Sequence, residues 1–171
     1  GRKGVEDFLE VSRACPELNF LWAGGRPFGI MTEGIIRLNR MIAEASENVK
    51  FPGMFELEEM PLIYNAADVF LFPSFQENCP LAPLEAAAAG LPVVYRDLKE
   101  YHDLYQAPYL KAKDTAEFIQ LTKRLAADTA FREQAKQISA KLLRQFEKET
   151  IKQQLLDLYQ EILNDPERSK V

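Results

Sequence analysis

Phe72-Pro73-Ser74-Phe75-Gln76-Glu77-Asn78-Cys79-Pro80-Leu81-Ala82-Pro83-Leu84-Glu85-Ala86-Ala87-Ala88-Ala89-Gly90-Leu91-Pro92-Val93-Val94 is the stretch on which the reading of this chain turns. An apolar run ends at Pro73, a polar loop follows, a helix is expected over Leu81 to Ala89, and Gly90 closes it. A second apolar run, Leu91 to Tyr95, comes next. Two apolar strands joined through a short helix make a βαβ unit, which requires a parallel sheet. The alanines let the helix lie close against that sheet.

Working outward, the same alternation recurs. Helices are expected at Val5–Ala14, from a Thr32 N-cap to about Ser46, and at Glu58–Ala67. Strands are expected at Leu18–Ala23, Val49–Phe51, Asp68–Phe72 and, as a small one, Tyr109–Lys111. Apolar runs of this kind, with helices between them, imply a doubly wound, Rossmann-like α/β domain with helices on both faces of a parallel sheet. Because the alternation begins on a helix, a first strand is expected upstream of Gly1. From Asp114 onward the pattern is helical only, with apolar stripes at Phe118, Leu121, Leu125, then Phe131, Ala135, Ile138, then Ile151, Leu155, Leu158, Ile162. The expected division is a nucleotide-binding domain over 1–146 and a C-terminal helix over 147–171. Ligands of such sheets bind beyond the carboxyl ends of the strands, so the loops at 24–31, 52–57, 73–80 and 95–103 are the places to search.

Bulk properties narrow the function. The 171 residues suffice for one core. A net charge of −5 argues against a general nucleic-acid binder, which needs a basic field. Cys15 and Cys79 lack paired spacing and His102 is the single histidine, so neither a disulfide framework nor a metal cluster is expected. A reducing, cytoplasmic setting fits.

Glu85 is the odd residue of its helix, a carboxylate among Ala, Leu and Pro. Enclosing it without donors would be costly, and ribose hydroxyls would serve. Glu77, at the strand's carboxyl end, is placed to accept hydrogen bonds from sugar hydroxyls, and the N–H groups opening the helix favour an anion such as a diphosphate. The residues alone leave a plainer reading open, with Glu85 at the favourable end of its helix and Glu77 on a surface loop. His102, Cys79 and the strand residues Trp22, Phe70 and Phe72 are read as surface, loop thiol and core; Arg26 fits surface charge or phosphate contact equally.

The segment resembles the signature of family 4 glycosyltransferases of the GT-B fold. That signature is Glu, seven residues, Glu, then Ala, a small residue and Gly-x-Pro-Val, here Glu77, Glu85, Ala86, Gly90, Pro92 and Val93. Lys3-Gly4, Val49-x-Phe51-x-Gly53, Ala67-Asp68-Val69 and Pro73-Ser74 match the family in order and spacing, so the resemblance covers about residues 2–165. It implies a retaining hexosyltransferase, inactive without a missing N-terminal domain against which the last helix packs. Glu77, with Asn78, Cys79, Pro80 and Leu81, would line the donor sugar. Glu85 would bind ribose, Lys3 and Arg2 the diphosphate, and Gly53 and Met54 the base. Asn78 and Pro80 stand where glycines are common, and Pro80 has no N–H to offer. The resemblance implies no cofactor and no metal, and no Asp-x-Asp element occurs.

Asn48-Val49-Lys50-Phe51-Pro52-Gly53, Val69 to Phe75 and Tyr95-Arg96-Asp97-Leu98 are similar to glycolipid-forming members, which move a hexose from UDP-glucose or UDP-galactose onto diacylglycerol or its glucoside. A lipid acceptor at the inner membrane face is the corresponding expectation. The alternatives are a nucleotide-sugar 2-epimerase of the same fold and a non-catalytic binding subunit; the intact two-Glu motif with its flanks favours transfer.

Overall fold

A computed structural model describes residues 2–24 and 35–164. The elements run α1 (Val5–Ala14), β1 (Phe20–Ala23), α2 (Ile35–Ala43), β2 (Val49–Gly53), α3 (Met60–Asn65), β3 (Phe70–Phe72), α4 (Leu81–Ala88), β4 (Val93–Arg96), α5 (Lys99–Leu104), β5 (Leu110–Ala112), α6 (Thr115–Ala127), α7 (Thr129–Leu143) and α8 (Lys148–Asn164). The expected Thr32 cap, most of the 24–31 loop including Arg26, and the end of the 147–171 segment lie outside the described residues.

All strand pairs are parallel, as the apolar runs predict. β1 pairs with β2, Phe20 opposite Val49; β3 pairs with β4, Phe70 opposite Val93; and β4 pairs with β5, Val94 opposite Leu110. The expected single sheet is divided by its hydrogen bonds into a two-stranded and a three-stranded part, β1-β2 and β3-β4-β5. Among the described residues no ladder joins the two parts.

Both faces are covered, and β3 and β4 show how. Side chains alternate across a strand. Val94, with the partly buried Leu71, faces one cluster with Phe8 and Val11 of α1 and Phe118 and Leu125 of α6. Val93 and Tyr95, with Phe70 and Phe72 packed beside them, face the other, with Tyr64 of α3, Ala86 and Ala87 of α4, and Tyr101 of α5. Every residue of β4 is buried, as expected of an inner strand of a doubly wound sheet.

The helical tail begins with two capped helices. Asp114 accepts from the Glu117 N–H and opens α6, and Asp128 accepts from the Phe131 N–H and opens α7. The stripe Phe131, Ala135, Ser139, Leu142 buries α7 against the domain. α8 differs: none of its seventeen residues is buried, and Ile151, Leu155, Leu158 and Leu163 are among its exposed apolar side chains. No helix among the described residues is long and apolar enough to cross a membrane.

One element escaped the sequence. Residues 99–104, expected as part of a loop, form α5. Lys99-Glu100-Tyr101-His102-Asp103-Leu104 has too few apolar residues to show a helical period. What holds it is fully buried Tyr101, in edge contact with the Tyr95 ring at 5.7 Å and stacked on Tyr105 at 5.1 Å.

Candidate donor-binding site

Gly4 explains why this site begins where it does. It caps α1 with φ +76, and a Cβ there would lie 2.2 Å from the Pro73 carbonyl oxygen. Only glycine permits both the left-handed backbone and this close approach. The start of α1 is thereby pressed against the carboxyl end of β3. The Phe75 N–H donates to the Arg2 carbonyl at 2.8 Å and tightens the contact.

That approach brings together two residues seventy-four positions apart. The Lys3 ammonium pairs with Glu77 Oε1, with Lys3 half-exposed and the Glu77 side chain 13% exposed. Ser74 Oγ lies 2.6 Å from the same oxygen and 3.2 Å from the Arg2 carbonyl. A hydroxyl has one proton to give, and the shorter contact to a carboxylate takes it. The Arg2 side chain is exposed and makes no ion pair among the described residues, while its backbone carbonyl accepts from Phe75.

Beneath the loop lies a buried ion pair. Arg96, at the end of β4, pairs with Asp7 of α1; their side chains are 6% and 15% exposed. The Arg96 Nε donates to the Pro73 carbonyl at 2.9 Å, and its guanidinium stacks over the Phe75 ring at 3.8 Å. Thr115 completes the set by donating to Asp7 at 2.9 Å. The sequence singled out Arg96 only as part of a likeness. Nothing in its spacing marks it as a support for the loop, because its partners come from α1 and the loop after β3, both distant in sequence.

Glu85 sits in the second turn of α4 and is partly exposed. Its Oε2 accepts from the Tyr64 hydroxyl at 2.8 Å. The sequence left all of its donors to a ligand, whereas the fold supplies one from α3. Burial, reinforced by Glu85, pushes the Tyr64 phenol well above its usual range, so this hydroxyl stays a donor.

The anion-binding capacity of α4 is smaller than expected. Pro80 occupies the cap and Pro83 the first turn, so Leu81 and Ala82 provide the N–H groups at the helix start, and no side chain caps them. Asn78, Cys79 and Leu81 are exposed and Pro80 is buried. Gly53 ends β2 at φ +95 with open space around its Cα, and Met54 beyond it is 65% exposed. His102 is half-exposed and lies 2.8 Å from Asp97; that contact and Lys111 hold the Asp97 carboxyl below its usual range. A cavity of about 160 Å³ lies at the amino ends of β3 and β4, lined by Asp68, Gly90 and Arg132 among others, and contains none of the predicted donor residues. Among the described residues no group of three or more His, Cys, Asp or Glu converges as metal ligands would.

Known proteins share this arrangement of segments. An alpha-galactosylglucosyldiacylglycerol synthase of Streptococcus pneumoniae is 32% identical over 159 residues, 93% of this chain and 42% of the relative. A processive diacylglycerol alpha-glucosyltransferase of Acholeplasma laidlawii is 32% identical over 126 residues, 72% of this chain and 37% of that protein. The chain therefore spans about two-fifths of the length of these relatives. In fold it is similar to Anabaena HepE, crystallised in complex with UDP and glucose, at TM-score 0.77 and 20% identity over 94% of this chain and 45% of that one. A sucrose-phosphate synthase from Thermosynechococcus elongatus superposes at TM-score 0.74 with 23% identity over 95% of this chain and 43% of that one. Residues 2–128 match the family described as glycosyl transferases group 1, and the chain belongs to that family.

Proposed function

We propose that this chain is the donor-binding half of a retaining glycosyltransferase that takes a hexose from UDP-glucose or UDP-galactose. The observation that carries the reading is the convergence of Lys3, Ser74 and Glu77 at the carboxyl end of β3, beside the start of α4. A cation there meets the diphosphate, the loop acid meets sugar hydroxyls, and Glu85, one helical turn further, meets the ribose. Gly53 and Met54 offer backbone to the base.

Departure of the nucleotide builds negative charge on its diphosphate. Fixed donors aimed at that charge lower the barrier without a protein nucleophile or a metal. Lys3 supplies the charge, and the Leu81 and Ala82 N–H groups supply the dipole. Lys3 is paired with Glu77; a diphosphate would compete for that cation, and freeing Glu77 would ready the acid for the sugar.

The acceptor wall belongs to a second domain, and the apolar face of α8 is the surface we assign to it. The names of the relatives support a diacylglycerol-type acceptor and thus a site peripheral to the cytoplasmic membrane face.

Calorimetric titration of the full-length protein with UDP and UDP-glucose, without divalent metal, tests the reading. Binding of both, weakened about tenfold by Glu85→Ala, is expected. Absence of binding by the unmodified protein overturns it in favour of a non-catalytic subunit, and acceptor-independent conversion of UDP-N-acetylglucosamine would mark an epimerase.

A further inference from the structure

We infer that Tyr64 is a positioning residue for Glu85: its hydroxyl engages Oε2, leaving Oε1 to face the nucleotide's ribose. The inference rests on the ribose-binding role proposed for Glu85.

Tyr64 is fixed before it meets Glu85. It is 5% exposed, it packs edge-on against Phe70 of β3 at 5.8 Å between ring centres, and it shares a core cluster with Ala86, Ala87 and Leu91. Its ring therefore brings the hydroxyl to α4 from the core side, at 2.8 Å from Oε2. A phenylalanine would fill the same volume, so packing does not account for the oxygen. Glu85 is the one hydrogen-bond partner of that oxygen among the described residues, and Oε1 of Glu85 has none there.

The terminal torsion of a glutamate is broad and two-fold. Left alone, a partly exposed carboxylate would sample many orientations. Tying one oxygen to an ordered core ring fixes the plane of the group and the direction of the other oxygen before a ligand arrives, which reduces the ordering cost of binding. Because the Tyr64 phenol is held protonated, it remains a donor throughout the neutral range.

The test compares UDP with 2′,3′-dideoxyuridine diphosphate, which carries the same base and diphosphate but no ribose diol. Dissociation constants are measured calorimetrically on the full-length protein and its Tyr64→Phe, Glu85→Ala and doubly substituted forms. Loss of one hydrogen bond to a charged group predicts that Tyr64→Phe weakens UDP about fivefold and leaves the dideoxy ligand unchanged. In the Glu85→Ala background, Tyr64→Phe should have no further effect. Equal weakening of both ligands, or of neither, by Tyr64→Phe overturns the positioning role. If Glu85→Ala itself does not discriminate between the ligands, the ribose reading of Glu85 fails and the inference falls with it. If Glu85→Ala discriminates and Tyr64→Phe does not, only the role of Tyr64 is wrong.

Discussion

Glu77 and Glu85 are eight positions apart in one β3–α4 unit, yet they are held by different chemistry. Glu77 lies on a loop, which has no ladder of backbone bonds to place it. Its position comes mainly from charge, helped by the Ser74 hydroxyl: Lys3 on one side and, beneath the loop, Arg96, paired with Asp7, gripping Pro73 and Phe75. Glu85 lies on a helix, which fixes its Cα, so one neutral hydroxyl from a packed tyrosine is enough to orient it. The loop acid is built on ion pairs and the helix acid on an aromatic core. Conditions that attack one foundation should therefore spare the other.

Alkaline pH attacks the aromatic side and should have the largest effect. Burial raises the phenols of Tyr64, Tyr95, Tyr101 and Tyr105 well above their usual value. In the unfolded chain each ionises near pH 10, so above that pH the unfolded state binds fewer protons than the folded one. The stability these neutral phenols contribute is intact below about pH 10 and falls as pH rises beyond it, by up to about 1.4 kcal/mol per pH unit for each tyrosine. Urea denaturation between pH 8 and 11 should show a steep loss, made shallower by Tyr105→Phe. A flat profile would mean that these rings are not buried as described.

Arg96→Ala attacks the ionic side. Removing one partner of a buried pair strands the other charge, and a cost of about 3–5 kcal/mol is expected. Chemical denaturation of the variant reads it directly; a loss below about 1 kcal/mol would show that the pair is solvated. The acids themselves come next. Glu77→Ala should slow transfer by the full-length protein on the order of 100-fold while UDP affinity stays within about twofold. Glu85→Ala should weaken UDP about tenfold, the cost of a lost charged hydrogen bond. If both variants lose rate and affinity in the same proportion, the division between sugar and ribose is wrong.

The two foundations also differ in how far the sequence revealed them. Glu77, Glu85 and Lys3 were visible because a local motif marks them, and the strand-helix order followed from apolar runs whose length and flanks are local properties. Arg96, Asp7 and Tyr64 were not visible as site residues. Their roles arise from contacts between segments 21 to 108 positions apart, and no spacing rule reaches that far. α5 was hidden for a related reason, since its stability comes from one buried tyrosine and not from an apolar stripe. The division of the sheet into a two-stranded and a three-stranded part was likewise illegible, because apolar runs predict strands without specifying which edges pair.

Lys3 gives the finest distinction between the foundations. Its side chain is 51% exposed, so its attraction for a diphosphate is open to screening, unlike the buried pair below it. Raising salt well above physiological strength shortens the Debye length from about 8 Å toward 3 Å. UDP affinity should fall by a factor of about two to three, while the affinity of uridine, which lacks phosphate and depends on Glu85 and the base contacts, should hold. Lys3→Gln should remove the salt dependence. If Lys3 and the two α4 amides meet the diphosphate as proposed, chelation by EDTA should change neither affinity nor transfer. Abolition of transfer by EDTA, restored by added metal, would instead assign the diphosphate to an ion and leave Lys3 as the partner of Glu77 alone.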